Sequence, residues 1–152
     1  MEKILVTGSS GFIGMHLCKK LLDDGYYVHG IDNMNNYYDI ALKEARLKIL
    51  SNYDNFTFNK IDISKLQDVE STFKKHKPEK VVNLAAQAGV RYSLLNPHAY
   101  IQTNVVGFTN IIETCKNYDV SGLIYASSSS VYGGNKKMPF SIDDRVDKPI
   151  SI

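Results

Sequence analysis

"VTGSSGFIG", residues 6–14, sets three glycines, Gly8, Gly11 and Gly14, between an apolar run and a segment of helical length. Each glycine has a mechanical reason to be there. Gly8 permits a tight turn out of a strand, Gly11 lets backbone come close to a pyrophosphate, and Gly14 lets the helix pack against the strand. The amides of the first helical turn, around Phe12 and Ile13, lie at the positive end of the helix dipole and suit a diphosphate. A glycine triplet alone marks a simple turn as readily as a dinucleotide site, so its meaning depends on what surrounds it.

What surrounds it is a regular alternation. Apolar β-rich runs at "KILVTG", "YVHGID", "FTFNKID", "KVVNLAA" and "GLIYASS" are separated by helical segments over 12–24, about 39–51, 64–76 and about 97–118. Strands alternating with helices predict an α/β fold, a doubly wound parallel sheet covered on both faces. Runs such as "KILVT" lack clean polar alternation, as burial on both faces requires. The predicted strand order is 3-2-1-4-5, the Rossmann arrangement, with ligands at the carboxyl ends of the strands beside the switch between strands 1 and 4. Helix starts are predicted at Gly11, Tyr38-Asp39, Ile63-Ser64 and Asn96-Pro97. On the last helix Tyr100, Val105, Phe108, Ile111, Ile112 and Cys115 are read mainly as core.

Composition narrows the function classes. With 43% apolar and 22% charged residues in 152, the chain reads as one globular domain rather than a disordered or membrane protein. Eighteen basic residues against 16 acidic give a net charge of +2, too small to imply nucleic acid. "KEARLK" and "FKKHKPEK" read as solvated helix faces or ends. Cys18 and Cys115 match neither a redox nor a metal spacing and read as buried thiols. His16, His29, His76 and His98 are scattered, and no metal site is predicted. No apolar run has the length of a signal peptide or membrane span, so no membrane partner and a cytoplasmic location are predicted.

Asp32 ends strand 2, 18 residues after Gly14, where a carboxylate accepts hydrogen bonds from both adenosine ribose hydroxyls. No Lys or Arg stands between Asp32 and Lys43 to offset its repulsion of a 2′-phosphate, so NAD is predicted over NADP. Asn33 is placed beside it. Asp62 and Ile63 end strand 3, where they flank an adenine or, for Asp62, cap the next helix. In "NLAAQAG" the small residues after strand 4, with Leu84, Ala85, Ala86 and Gln87, let a flat cofactor lie against backbone.

The segments "TGSSGFIG", "NLAAQAG", "NVVGFTN" and "YASSSSVYGGN" together resemble an extended short-chain dehydrogenase/reductase, specifically a nucleotide-sugar epimerase, over essentially the whole chain. "DNMNNYYDIALKEARL" and "AAQAGVRYSLLNPHAY" look most like UDP-glucuronate 4-epimerases, which interconvert UDP-glucuronate and UDP-galacturonate. The resemblance implies NAD as cofactor, with Asn104 among its contacts, a UDP-sugar as substrate and a homodimer paired through the helix over 97–118. It assigns the catalytic hydroxyl, four residues before the Tyr of the Val-Tyr-Gly turn, to Ser128. Ser127 and Ser130 are then helpers for substrate oxygens, and Ser129 packs. Arg91, in "AGVR", serves a substrate phosphate or carboxylate, or else pairs with a surface acid. Similar 4,6-dehydratases carry Asp-Glu where Ser129 and Ser130 stand, because eliminating water needs a further acid and base.

The family also implies a helical Tyr-x-x-x-Lys, whose lysine lowers the phenol pKa. Tyr132 and Lys136 match the letters, but the paired glycines of "YGGNK" oppose a helix. The resemblance places the catalytic Tyr directly after "KPISI". Residues 1–152 are therefore expected to be an NAD-binding domain that lacks the catalytic Tyr helix and the substrate-binding part, and to be inactive alone. Two other readings stay open: an epimerase of a neutral UDP-sugar, and a non-catalytic NAD-binding module.

Overall fold

The glycine turn ends β1 (Lys3–Thr7) and starts α1 (Phe12–Asp23) in the computed structural model, which describes residues 1–148. Then come β2 (Tyr27–Asp32), α2 (Ile40–Leu50), β3 (Phe56–Lys60), α3 (Leu66–His76) and β4 (Lys80–Asn83). A short α4 (Val90–Ser93) leads to α5 (Pro97–Tyr100), which passes through a π-helical stretch, Ile101–Gly107, into α6 (Phe108–Asn117) and on to β5 (Gly122–Tyr125). The five strands form one parallel sheet in the order β3-β2-β1-β4-β5, as the sequence predicts.

Alternation along β1 divides the core between the two faces of this sheet. Ile4 and Val6 join Met15, Cys18 and Leu22 of α1 and Leu50 of α2 on one side. On the other, Leu5 joins Val69 and Phe73 of α3 and Ile111 and Cys115 of α6. Full burial of each large aliphatic or aromatic side chain contributes about 1.5–3 kcal/mol, so these two layers hold the sheet between its helices. Both cysteines are free and buried, and burial pushes the Cys18 thiol up to about 12 and that of Cys115 to about 11. Neither is a nucleophile at neutral pH.

Two predicted starts have side-chain caps: Asp39 accepts from the Ala41 amide at 2.9 Å, and Asn96 from the Ala99 amide at 3.3 Å with Pro97 next. The predicted start at Ile63-Ser64 moves to Lys65, because Asp62 holds the Ser64 amide in a turn first. The helix over 97–118 differs from expectation in two ways. Its middle is π-helical, and only Ile111 and Cys115 of the six apolar residues are core. Val105 and Ile112 are exposed, and Phe108 is half-buried against the Tyr125 ring at 4.9 Å. The apolar face is wider than the layer it meets, so part of it stays uncovered among the described residues.

The two basic stretches are also less solvated than their composition suggests. Lys43 of "KEARLK" is 4% exposed. His76 of "FKKHKPEK" stacks on His29, with ring centroids 3.5 Å apart. No helix among the described residues is long and apolar enough to cross a membrane.

Candidate functional site

The carboxyl ends of β1 and β4 stay paired beneath a crevice, and one buried threonine ties them together. Thr7 Oγ1 donates to Asn83 Oδ1 at 2.7 Å and accepts from the amides of Leu84 at 3.1 Å and Ala85 at 3.0 Å. Gly8 follows with φ +69, and a Cβ there would stand 2.9 Å from the Ala85 nitrogen. Only glycine lets the two turns meet so closely. At Gly14 a Cβ would collide with the Gly8 carbonyl oxygen, so this glycine lets α1 start tightly against the turn. The loop after β4 is held from above as well. Asn104, in the π-helical stretch, accepts from the Gln87 amide at 2.8 Å and donates to the Gln87 carbonyl at 3.0 Å. The Tyr100 hydroxyl donates to the Ala88 carbonyl at 2.9 Å.

Gly8, Gly11, Asp32, Asn33, Asp62, Ile63, Leu84, Ala85, Ala86 and Gln87 line one cavity, although they come from four separate turns. Phe12 and Ile13 are two-thirds exposed beside it, Gly14 is buried beneath the turn, and Asn104 reaches it through Gln87. Asp62 accepts from the Ser64 amide at 2.9 Å and from Asn33 Nδ2 at 3.4 Å. Burial opposes its charge, but the bonds from Ser64 and Asn33 outweigh that and hold its carboxyl below the usual range. Asp62 therefore turns the chain and faces the cavity at once.

Asp32 is more heavily occupied than its place in the sequence indicates. Its Oδ1 accepts from the Met34 amide at 2.8 Å and from Lys43 Nζ at 3.2 Å, and its Oδ2 from the Ser10 amide at 3.2 Å. A carboxylate has about four acceptor positions, so one remains for a ligand rather than the two that a pair of ribose hydroxyls needs. The expected lack of a neighbouring base is corrected by the same contact. Lys43, eleven residues along the chain, folds back from the first turns of α2 onto Asp32. Asn35, Tyr37, Tyr38, Lys43 and Thr103 also line the cavity and were not singled out by sequence reasoning. The aromatic pair Tyr37-Tyr38 in "NNYYD", which begins five residues past Asp32, was the available signal.

The serine tract follows β5 at the same end of the sheet, and the Ala126 amide continues the pairing by donating to the Asn83 carbonyl. Ser127 and Ser128 are exposed and Ser130 is half-buried. Ser128 Oγ caps a 3-10 turn, Ser129–Tyr132, by accepting from the Ser130 amide at 3.2 Å. Ser129, expected to pack, is exposed, and it is the other residues of its turn, Ser130, Val131 and Tyr132, that are half-buried. Tyr132 stacks on Phe140 at 4.4 Å, and no α-helix spans 132–136. Arg91, in α4, is exposed and makes no ion pair among the described residues. The serines and Arg91 do not line the cavity. The expected junction between "KPISI" and a tyrosine involves residues 149–152, which lie outside the described residues.

Known proteins share this architecture and sequence. The Staphylococcus aureus protein CapI is 54% identical over 150 residues, 99% of this chain and 45% of its own length. A UDP-glucuronate 4-epimerase of Thermodesulfobacterium geofontis is 44% identical over 151 residues, 99% of this chain and 46% of its own length. The chain thus spans somewhat under half the length of these relatives. The crystal structure of a Bacillus cereus UDP-glucuronic acid 4-epimerase in complex with UDP-glucuronic acid and NAD superposes with a TM-score of 0.87 at 35% identity, over 98% of this chain and 46% of that one. Residues 5–151 match the family model described as GDP-mannose 4,6 dehydratase, and the chain belongs to that family, within the extended short-chain dehydrogenase/reductases that include the nucleotide-sugar epimerases.

Proposed function

We propose that this chain is the NAD-binding part of a nucleotide-sugar 4-epimerase that interconverts UDP-glucuronate and UDP-galacturonate. The observation that carries the reading is the pairing of a ribose-type acid, Asp32, with an uncharged serine tract after β5, in a chain 44% identical throughout to a UDP-glucuronate 4-epimerase. The family description names a dehydratase, but Ser129 and Ser130 offer hydroxyls where elimination of water needs an acid and a base.

The cavity fits a dinucleotide. Ser10 Oγ is buried with no partner beside Asp32, and the Gly8–Gly11 turn leaves backbone open above it. The amides from Gly11 to Ile13 would take the diphosphate, Asp32 an adenosine ribose hydroxyl, and Asp62 with Ile63 the adenine edge. Ala85, Ala86 and Gln87 would back the rest of the cofactor, with Asn104 fixing Gln87. NAD bound there would supply a reversible hydride acceptor, leaving no net redox change in the product. Ser128 would donate its hydroxyl hydrogen bond to the sugar O4 and help to hold the O4 proton in place for a base. Ser127 and Ser130 would hold neighbouring sugar oxygens, and Arg91 a phosphate or carboxylate. The protein would work as a homodimer through the helix over 97–117.

The test is direct. The full-length protein, given UDP-glucuronate, should yield UDP-galacturonate without accumulating NADH. Unchanged sugar nucleotide, or loss of CO2 to a UDP-pentose, would refute the assignment.

A further inference from the structure

Lys43 is the buried charge that the reading above leaves without a task. The residue lines the cavity and is 4% exposed. It donates to Asp32 Oδ1 at 3.2 Å and to Asn35 Oδ1 at 3.1 Å, and lies 5.1 Å from the centre of the Tyr38 ring. An ammonium has three protons and no acceptor. Two are directed at Asp32 and Asn35, which leaves the third for a ligand in the cavity. Asp32 presents the complementary shortage, with one acceptor position left for two ribose hydroxyls. The only cation this close to Asp32 among the described residues is Lys43.

We infer that Lys43 is a cofactor-specificity residue: its third proton is given to the 2′ oxygen of the adenosine ribose, and Asp32 accepts from the other hydroxyl. This rests on the crevice being a dinucleotide site. A 2′-phosphate then meets an Asp32–Lys43 pair rather than a lone carboxylate, so the preference for NAD over NADP is moderated by Lys43. Arg46 reinforces the effect. Its guanidinium bonds the Ser10 carbonyl at 3.4 Å and the Tyr38 hydroxyl at 3.3 Å, on the same rim. A role for Lys43 confined to holding the loop over 33–38 onto α2 would change both affinities alike.

Calorimetry on the full-length protein freed of nucleotide, titrated with NAD and with NADP, separates these cases. Lys43→Met is expected to weaken NADP about tenfold more than NAD, the scale of one charge-assisted hydrogen bond. Asp32→Asn leaves the ammonium without its counter-charge and should move the ratio at least about tenfold the other way. The double variant should lose that gain, since the two effects share one contact. An unchanged ratio in Lys43→Met, or an NADP gain that survives in the double variant, overturns the inference. Should Lys43→Met fail to fold, Lys43→Gln, which keeps a polar chain of similar length and removes the charge, takes its place, and an unchanged NADP-to-NAD ratio in it overturns the inference. Failure of the unaltered protein to bind either nucleotide would instead overturn the dinucleotide reading, and this inference with it.

Discussion

Replacing Thr7 by valine keeps the shape of a buried, β-branched residue and removes only the hydroxyl. Three contacts go with it, but their losses differ. The Leu84 amide retains a longer bond to the Thr7 carbonyl at 3.3 Å. The Ala85 amide and Asn83 Oδ1 have no other partner among the described residues and become unpaired beneath the crevice. Each buried orphan costs about 1–3 kcal/mol, so Thr7→Val should destabilise by about 2–6 kcal/mol. For a domain of this size, at about 3 °C per kcal/mol, that lowers Tm by roughly 6–18 °C. Thr7→Ser is the control, because it keeps every hydrogen bond and loses one buried methyl, worth about 1 kcal/mol. Thermal and urea unfolding followed by circular dichroism should rank the variants wild type, Ser, Val in falling stability. Thr7→Val as stable as Thr7→Ser would refute the role of the hydroxyl as the tie between β1 and the turn after β4.

Acid should loosen the fold before its carboxylates titrate. Burial, then His76 and Lys75, push the His29 imidazole down to about 3, against about 6.5 in an unfolded chain, and His76 shifts the same way. The unfolded state thus binds a proton that the native state refuses, and stability intact above pH 6.5 falls by up to about 1.4 kcal/mol per pH unit for His29 as pH drops toward 3, with His76 acting in the same direction. Equal urea midpoints at pH 7 and pH 5 would contradict this. Residues 1–152 alone should show no epimerase activity with NAD and UDP-glucuronate, since Tyr132 is stacked on Phe140 and Ser128 is no base; UDP-galacturonate formed at enzymatic rates would prove otherwise. The same chain should self-associate through its exposed Ile112, Ile124 and Tyr125, and Phe108→Lys should reduce that association; a monomer at high concentration in light scattering would count against it.

The strand order was legible because each strand carries its own local signal: an apolar run, then a turn, then a helix start such as Asn96-Pro97. The glycine turn and Asp32 were legible for the same reason, as short spacings around one strand end. What escaped were partnerships between distant residues. Thr7 and Asn83 look like ordinary strand ends until β1 and β4 are adjacent. His29 and His76 were read as scattered, yet the packing of α3 on the sheet stacks them. Lys43 was assigned to solvent because its neighbours are charged, and no local pattern states that it will be drawn to Asp32. The π-helical stretch around Asn104 has no sequence signature comparable to a helix cap, so a plain helix was the natural reading.

The placement of β4 beside β1 also sets a timetable for synthesis. The strands β3, β2 and β1 need nothing beyond Lys60 to pair with one another. The second edge of β1, with the Thr7 hydroxyl at its end, waits for Asn83. At roughly 5–20 residues per second, that wait lasts about one to five seconds after Lys60 is joined. Throughout it the nascent chain offers an open parallel edge to any other strand nearby, and the emerging crevice has only one wall. A nucleotide cannot rescue this half-made sheet, because half of what would grip it has not yet been translated. Slowing the ribosome between codons 60 and 83 should therefore raise aggregation.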